Sequence, residues 1–303
     1  LILSQFSYIS LDGIAPGTMR EVVSELIKLG RVHDNNLKLS KQLAESRRFG
    51  SARVSHSMEL FDPKLEMQFG ALVVDTDDGA TCVAFRGTDA TLVGWKEDFN
   101  MAFQEAVPAQ LLAQDYVREV AAEYVMPLRL GGHSKGGNLA VWAAVHAPAL
   151  LRRRILMVYS NDGPGFHRDL THTPAYRGLA PRIVTYVPQA SLVGALLHQD
   201  PRARTVKSHG HGTAGQHDPF TWEVHSGSFR FLPRRSRQAQ READGFRGWV
   251  DSMAPAERAE FTDVLFSLLS AAQAETLSEL SEHWADTALA ALGAYRALPP
   301  ETR

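Results

Sequence analysis

The sequence has a single cysteine, Cys82, so no disulfide within the chain can staple it. It also lacks a charge excess: 32 Lys and Arg stand against 34 Asp and Glu, for a net charge of −2. A dedicated nucleic-acid binder would carry a basic surplus or stripe, so that class is set aside. No apolar run approaches the ~18 residues that a membrane-spanning helix needs. No repeat or low-complexity tract stands out either. What remains is ordinary globular composition over 303 residues, 44% hydrophobic and 22% charged, enough for one large or two modest domains. The lone cysteine favours a reducing compartment, and a cytoplasmic place is expected. A secreted protein without disulfides has the same cysteine count, and a chain beginning at Leu1 is compatible with a removed leader.

The first 45 or so residues read as amphipathic helix, with Val22, Val23, Leu26, Ile27 and Leu29 on an inner face and Gly30 as a stop. From about Phe69 the rhythm changes to short apolar runs bounded by turn residues. Ala71–Val74 and Cys82–Phe85 flank Thr76-Asp77-Asp78-Gly79, whose Asp-Gly pair signals a hairpin. A helix is expected from Pro108 to Tyr124, a strand at Leu128–Leu130, a helix from Lys135 to His146, and strands at Ile155–Tyr159, Ile183–Val187 and Thr205–Val206. Apolar strands alternating with helices predict an α/β fold with a mainly parallel sheet flanked by helices. The arginines at 230, 234, 235, 237 and 241 around Pro233 read as a solvated linker. Beyond Pro255, Phe261, Val264, Leu265, Leu268 and Leu269 form one helical face, and Leu277, Leu280, Trp284, Ala288 and Tyr295 a second. These C-terminal helices either pack structurally or cover an apolar site.

Gly132-His133-Ser134-Lys135-Gly136 is the most informative stretch. It is a G-x-S-x-G pattern between a strand and a helix, the context that a nucleophile elbow requires. Flanking glycines let neighbouring backbone approach a strained serine, and the helix directs its N-terminal dipole at negative charge forming beside it. Ser134 is therefore read as a nucleophile, and the Lys135 N–H, next in the chain, as an oxyanion donor.

A second stretch, Phe85-Arg86-Gly87-Thr88, ends a strand in a glycine turn, with Gly94-Trp95-Lys96-Glu97-Asp98 shortly after. Here the sequence resembles the class 3 (fungal-type) lipases, whose strand-end loop and elbow share this order and spacing. It is most similar to a bacterial branch with G-W-K-E-D-F, G-H-S-K-G-G-N, D-G-P-G-F and Q-H-D segments, all present here across about residues 1–230. The resemblance implies an α/β-hydrolase fold, with Thr88 as the second oxyanion-hole residue. Arg86, Trp95 and Asp98 are assigned to loop geometry, with Arg86 and Asp98 as an expected pair.

The acid departs from the class 3 pattern, which places an aspartate after the strand resembling Ile183–Val187. Pro188-Gln189-Ala190-Ser191 stands there instead, and the next aspartate is Asp200. Asp162, at the carboxyl end of the preceding strand, occupies the place where pancreatic-type lipases keep their acid in a similar segment. Asp162 is the preferred acid, Asp200 the alternative. The base belongs on a loop after the last strand, where His209, His211 and His217 all qualify. The Q-H-D resemblance selects His217.

His209, His211, His217 and Asp218 also form a donor set suited to zinc. No H-x-x-x-H on a helix accompanies them, and a metal reading leaves the elbow unexplained, so no metal or organic cofactor is expected. The expected organisation is an N-terminal helical segment over 1–49, an α/β-hydrolase domain over 50–230 and a C-terminal helical region over 231–303. The expected function is hydrolysis of a small-molecule or lipid carboxylic ester by Ser134, His217 and Asp162. The alternative is a catalytically silent lipase fold that binds a lipid or a protein.

Overall fold

The computed structural model describes residues 1–270, the side chains at 213 and 214 excepted. The chain begins with α1 (Ile2–Phe6), β1 (Gly17–Thr18), α2 (Met19–Lys28) and α3 (Asp34–Glu45), followed by β2 (Arg53–Asp62), β3 (Met67–Thr76) and β4 (Ala80–Phe85). The central part runs α4 (Leu92–Asn100), α5 (Pro108–Glu123), β5 (Leu128–His133), α6 (Lys135–His146), α7 (Ala149–Arg154), β6 (Ile155–Asn161), α8 (Pro174–Leu179) and β7 (Ile183–Pro188). The last part comprises β8 (Arg204–Val206), α9 (Gly212–His217), β9 (Val224–His225), β10 (Ser228–Phe229), β11 (Phe231–Leu232), α10 (Arg237–Asp251) and α11 (Pro255–Ser270). The second apolar face expected between Leu277 and Tyr295 lies outside the described residues.

Among the described residues, nine strands form one sheet in the order β1-β2-β3-β4-β5-β6-β7-β8-β11. Strands β4 to β8 are parallel, while β1 to β3 and β11 add antiparallel edges. The Asp-Gly hairpin forms as read, with Thr76 opposite Ala80 and Gly79 at φ +78°. Strand β2 has no counterpart in the sequence reading. Its pairing with β3 shifts register between Ser55 and Met58, and much of it is only partly buried.

The strand order decides where the helices lie. Parallel strands that follow one another across a sheet, joined by crossovers of one hand, send every connecting helix to the same face. Side chains of α5, α6, α7 and α8 accordingly share one core with Phe69, Ala71 and Val73 of β3. Leu72 and Val74, which alternate with them, point to the opposite face, where α1, α2 and α3 provide the cover. Strands β3 and β4 are buried on both sides almost throughout, hence their nearly continuous apolar runs, while β5 to β7 alternate buried with partly exposed residues.

Helix α2 shows how the cover is built. Thr18 and Glu21 form a reciprocal capping box, and Val22, Val23 and Leu26 are buried against the sheet. Ile27 and Leu29, expected on that inner face, are instead 40% and 50% exposed. Leu26→Ala should therefore cost about 2–5 kcal/mol in urea denaturation. Ile27→Ala should cost less, about 1 kcal/mol, since the residue is 40% exposed already. Equal losses would contradict this placement of the helix.

Two further expectations need correction. The arginine-rich stretch is not a solvated linker throughout: Ser236 caps α10, and Ala239, Ala243 and Val250 are buried. On α11 the buried residues are Thr262 and Phe266, with Leu265 and Leu269 packed beside Leu92, Trp95 and Phe99 of α4. Phe261, expected on that same face, lies 38% exposed, against Trp249 of α10. None of the described helices is long and apolar enough to cross a membrane.

Candidate active site

Ser134 stands between β5 and α6 with φ 57° and ψ −134°, a conformation that costs a non-glycine residue about 1–3 kcal/mol. The crossing is too tight for side chains. A Cβ on Gly132 would meet the Gly136 carbonyl carbon at 2.0 Å, and one on Gly136 would meet the Phe85 oxygen at 2.3 Å. The Ser134 N–H donates to Asn161 O at 3.0 Å, which ties the turn to β6.

Asp162 follows β6 directly and is fully buried. The His217 Nδ1–H donates to its Oδ2 at 2.6 Å, and the Ser191 hydroxyl donates to the same oxygen at 2.5 Å. The Gly194 N–H reaches Oδ1 at 3.1 Å, an approach that a Cβ on Gly194 would block. The loop after β7, where class 3 lipases place an acid, thus supplies a hydroxyl and an N–H that hold Asp162. Asp200 lies elsewhere, bonded to the Tyr176 hydroxyl at 2.7 Å and paired with Arg202 at 2.6 Å. Burial opposes its ionisation, but the Arg202 guanidinium holds its carboxyl below the usual range. His209 and His211 are exposed and do not line the cavity that holds Ser134 and His217.

His133 is buried beside Ser134 in the chain. Its Nε2–H donates to the His217 carbonyl at 2.9 Å, which leaves Nδ1 to accept from the Tyr8 hydroxyl at 3.0 Å. Burial and the neighbouring His217 hold His133 well below the ordinary imidazole range. Its ring lies 4.5 Å from that of His217, so it acts as a wall and a tether for the base candidate. Tyr8, from the N-terminal segment, carries no sequence signal for this position. It fills space beside Gly87 that a Cβ there would occupy.

The Thr88 hydroxyl donates to Asp98 Oδ2 at 2.6 Å. Among the described residues, the N–H groups of Thr88 and Lys135 donate to no protein acceptor. The expected Arg86–Asp98 pair does not form. Arg86 pairs with Glu59 at 2.9 Å and donates to Ser7 O and Ile9 O, which ties β4 to the N-terminal segment. Asp98 is instead the anchor of Thr88, and its other oxygen, Oδ1, is buried without a partner among the described residues.

Ser134, His217 and Thr88 line one cavity of about 600 Å³. Its walls are mainly apolar: Trp95 and Phe99 of α4, Leu192, Val193, Leu196 and Leu197 after β7, Phe246 and Trp249 of α10, and Phe261 of α11, with Asp98 and Arg258 also at its edge. Helices α10 and α11 therefore both pack on the body and wall the cavity. The arginine pattern around α10 hides this role, because Phe246, Trp249 and Val250 stand in the chain among charged residues.

Burial pushes the Asp98 carboxyl up to about 6, against the opposing pull of Lys135 and the Thr88 hydrogen bond. A carboxyl raised above its unfolded value favours the folded state at low pH, and that contribution is lost as pH rises through its folded value. Asp98→Asn is thus expected to raise Tm more at about pH 8 than at about pH 5, relative to the parent protein. A shift of equal size at both pH values in calorimetry would contradict a charged, desolvated Asp98.

Among solved structures, the chain is similar to the Rhizomucor miehei lipase propeptide complex at 13% identity and a TM-score of 0.43, over 76% of this chain and 72% of that one. It is also similar to lipase II from Rhizopus niveus, at 15% identity and a TM-score of 0.41, over 67% of this chain and 82% of the other. A third similar structure is a mutant of MDLA from Penicillium cyclopium, at 14% identity and a TM-score of 0.46, with coverage of 76% and 82%. No curated protein matches the chain. The sheet order and the strand–elbow–helix turn make this a lipase-like α/β-hydrolase fold. The family model described as Mbeg1-like matches residues 43–267, Ser134, Asp162 and His217 included, and the protein belongs to that family.

Proposed function

We propose that this protein is a serine hydrolase that cleaves carboxylic esters with an apolar acyl group. The observation that carries the reading is the 2.6 Å bond from His217 to a buried Asp162, at the cavity into which the strained Ser134 turn opens. In the proposed reaction Ser134 Oγ attacks the ester carbonyl carbon while His217 Nε2 takes its proton. Asp162, bonded to Nδ1, leaves Nε2 as the nitrogen that takes the proton and stabilises the imidazolium. The N–H groups of Thr88 and Lys135 receive the oxyanion, each such donor being worth about 10²–10³ in turnover. Collapse breaks the bond to the alcohol, which leaves with the proton from His217. Water then adds to the acyl-enzyme by the same route and frees the acid.

The apolar walls favour an acyl chain over a polar acid portion, since burying polar groups there without partners is costly. The alternative of a silent binding protein drew its support from the missing aspartate after β7. Asp162, held by Ser191 from that very loop, removes much of that support.

A panel of p-nitrophenyl esters from acetate to palmitate tests the proposal. Turnover is expected for the parent protein, with better kcat/KM for longer acyl chains than for acetate. Ser134→Ala and His217→Ala should each fall to background, because such residues act as a unit. Asp162→Asn should lose about 10³–10⁴-fold, and Asp200→Asn should retain activity. Greater damage from Asp200→Asn, or full activity in folded Ser134→Ala, would overturn the assignment.

A further inference from the structure

Lys135 and Glu97 form an ion pair at 2.8 Å with both side chains wholly buried. All three protons of the Lys135 ammonium have acceptors, and both Glu97 oxygens accept. The Lys135 ammonium also donates to Gln68 O at 2.7 Å and Gln68 Oε1 at 2.8 Å. The Glu97 carboxylate also accepts from the Gln68 N–H at 3.1 Å and the Ala109 N–H at 2.9 Å. Taking two charges out of water costs much of what their attraction returns, and an apolar contact of similar volume would join the same elements at least as well. Apolar burial lacks direction, however, and this network fixes direction.

We infer that the Lys135–Glu97 pair is a positioning device for the oxyanion hole, holding α4, and through it Thr88, in register with the nucleophile elbow. The inference rests on the hydrolase reading above. Lys135 follows Ser134, and its own N–H is one proposed oxyanion donor. Glu97 precedes Asp98, whose carboxylate anchors Thr88, the other donor, at 2.6 Å. The two donors come from distant stretches of chain and must meet at one oxygen atom. From Thr88 through Asp98 and Glu97 to Lys135, a single set of short contacts closes the ring between them. Displacing a reacting group by about 1 Å can cost around 10²-fold in rate, so the ring sets a tolerance that packing alone does not. The roles of Lys135 differ: its N–H touches the reacting oxygen, while its ammonium acts through Glu97.

The test is the double variant Lys135→Met with Glu97→Gln, which removes both charges together and retains the Lys135 N–H. The readouts are kcat and KM on a p-nitrophenyl ester, and the Ki of a trifluoromethyl ketone whose serine adduct carries an oxyanion, all well below the variant's Tm. The expected result is a kcat at least about ten-fold lower, a KM changed less than about two-fold, and a Ki weakened in proportion to kcat/KM. A pair that serves stability alone lowers Tm and leaves kcat and Ki unchanged, which would overturn the inference. If the double variant does not fold, Glu97→Asp keeps the charge and shortens its reach. It should shift kcat and Ki in the same direction, and unchanged values would again overturn the inference. A parent protein inert to esters and to serine-directed probes defeats the hydrolase reading and this inference with it. An active parent with unaltered variants defeats this inference alone.

Discussion

A serine held at φ 57° where β5 turns into α6 is the constraint on which the rest of the site depends. The turn survives its strain because Gly132 and Gly136 allow backbone to pass at distances that a Cβ would forbid. It also fixes everything that follows on α6. Lys135 is sent into the core toward Glu97, and Asn138, on the next turn, donates to the carbonyls of Pro164 and Gly165 in the acid loop. One strained residue thus has anchors on both sides, toward the proposed oxyanion hole and toward the proposed acid.

The sheet order extends that logic to the ends of the chain. Consecutive parallel strands place their connecting helices on one face, so the N-terminal helices are needed to cover the other. Having arrived there, the N-terminal segment also delivers Tyr8 to His133 and takes up Arg86 through Ser7 O and Ile9 O. At the other end, α11 rests on α4 through Phe266 and Phe99, whose ring centroids are 5.4 Å apart. The cavity is therefore walled by parts of the chain far outside the strand–helix repeat that builds the elbow.

What the sequence makes legible follows from these physical causes. Strands β3 and β4 read clearly because both faces are covered and their apolar runs are nearly continuous. The elbow is legible because its chemistry is local: two glycines, a serine, a strand before and a helix after. Strand β2 was hidden by its bulge and half-exposed pattern, and α10 by an inner face of Ala239, Ala243 and Val250 among arginines. The contacts of Arg86 with Glu59 and of Ser191 with Asp162 join distant segments, and no spacing announces them. Asp98 serves loop geometry through Thr88 and not Arg86, because nothing local distinguishes a guanidinium from a threonine hydroxyl as its neighbour.

The central claim is that Ser134 is an activated nucleophile rather than a turn residue. Incubation with a fluorophosphonate, followed by intact-mass measurement and peptide mapping, tests this without any knowledge of the natural substrate. The account predicts one adduct per chain, located on Ser134 and abolished in His217→Ala. A folded parent protein left unlabelled, or labelled at another serine, would contradict it.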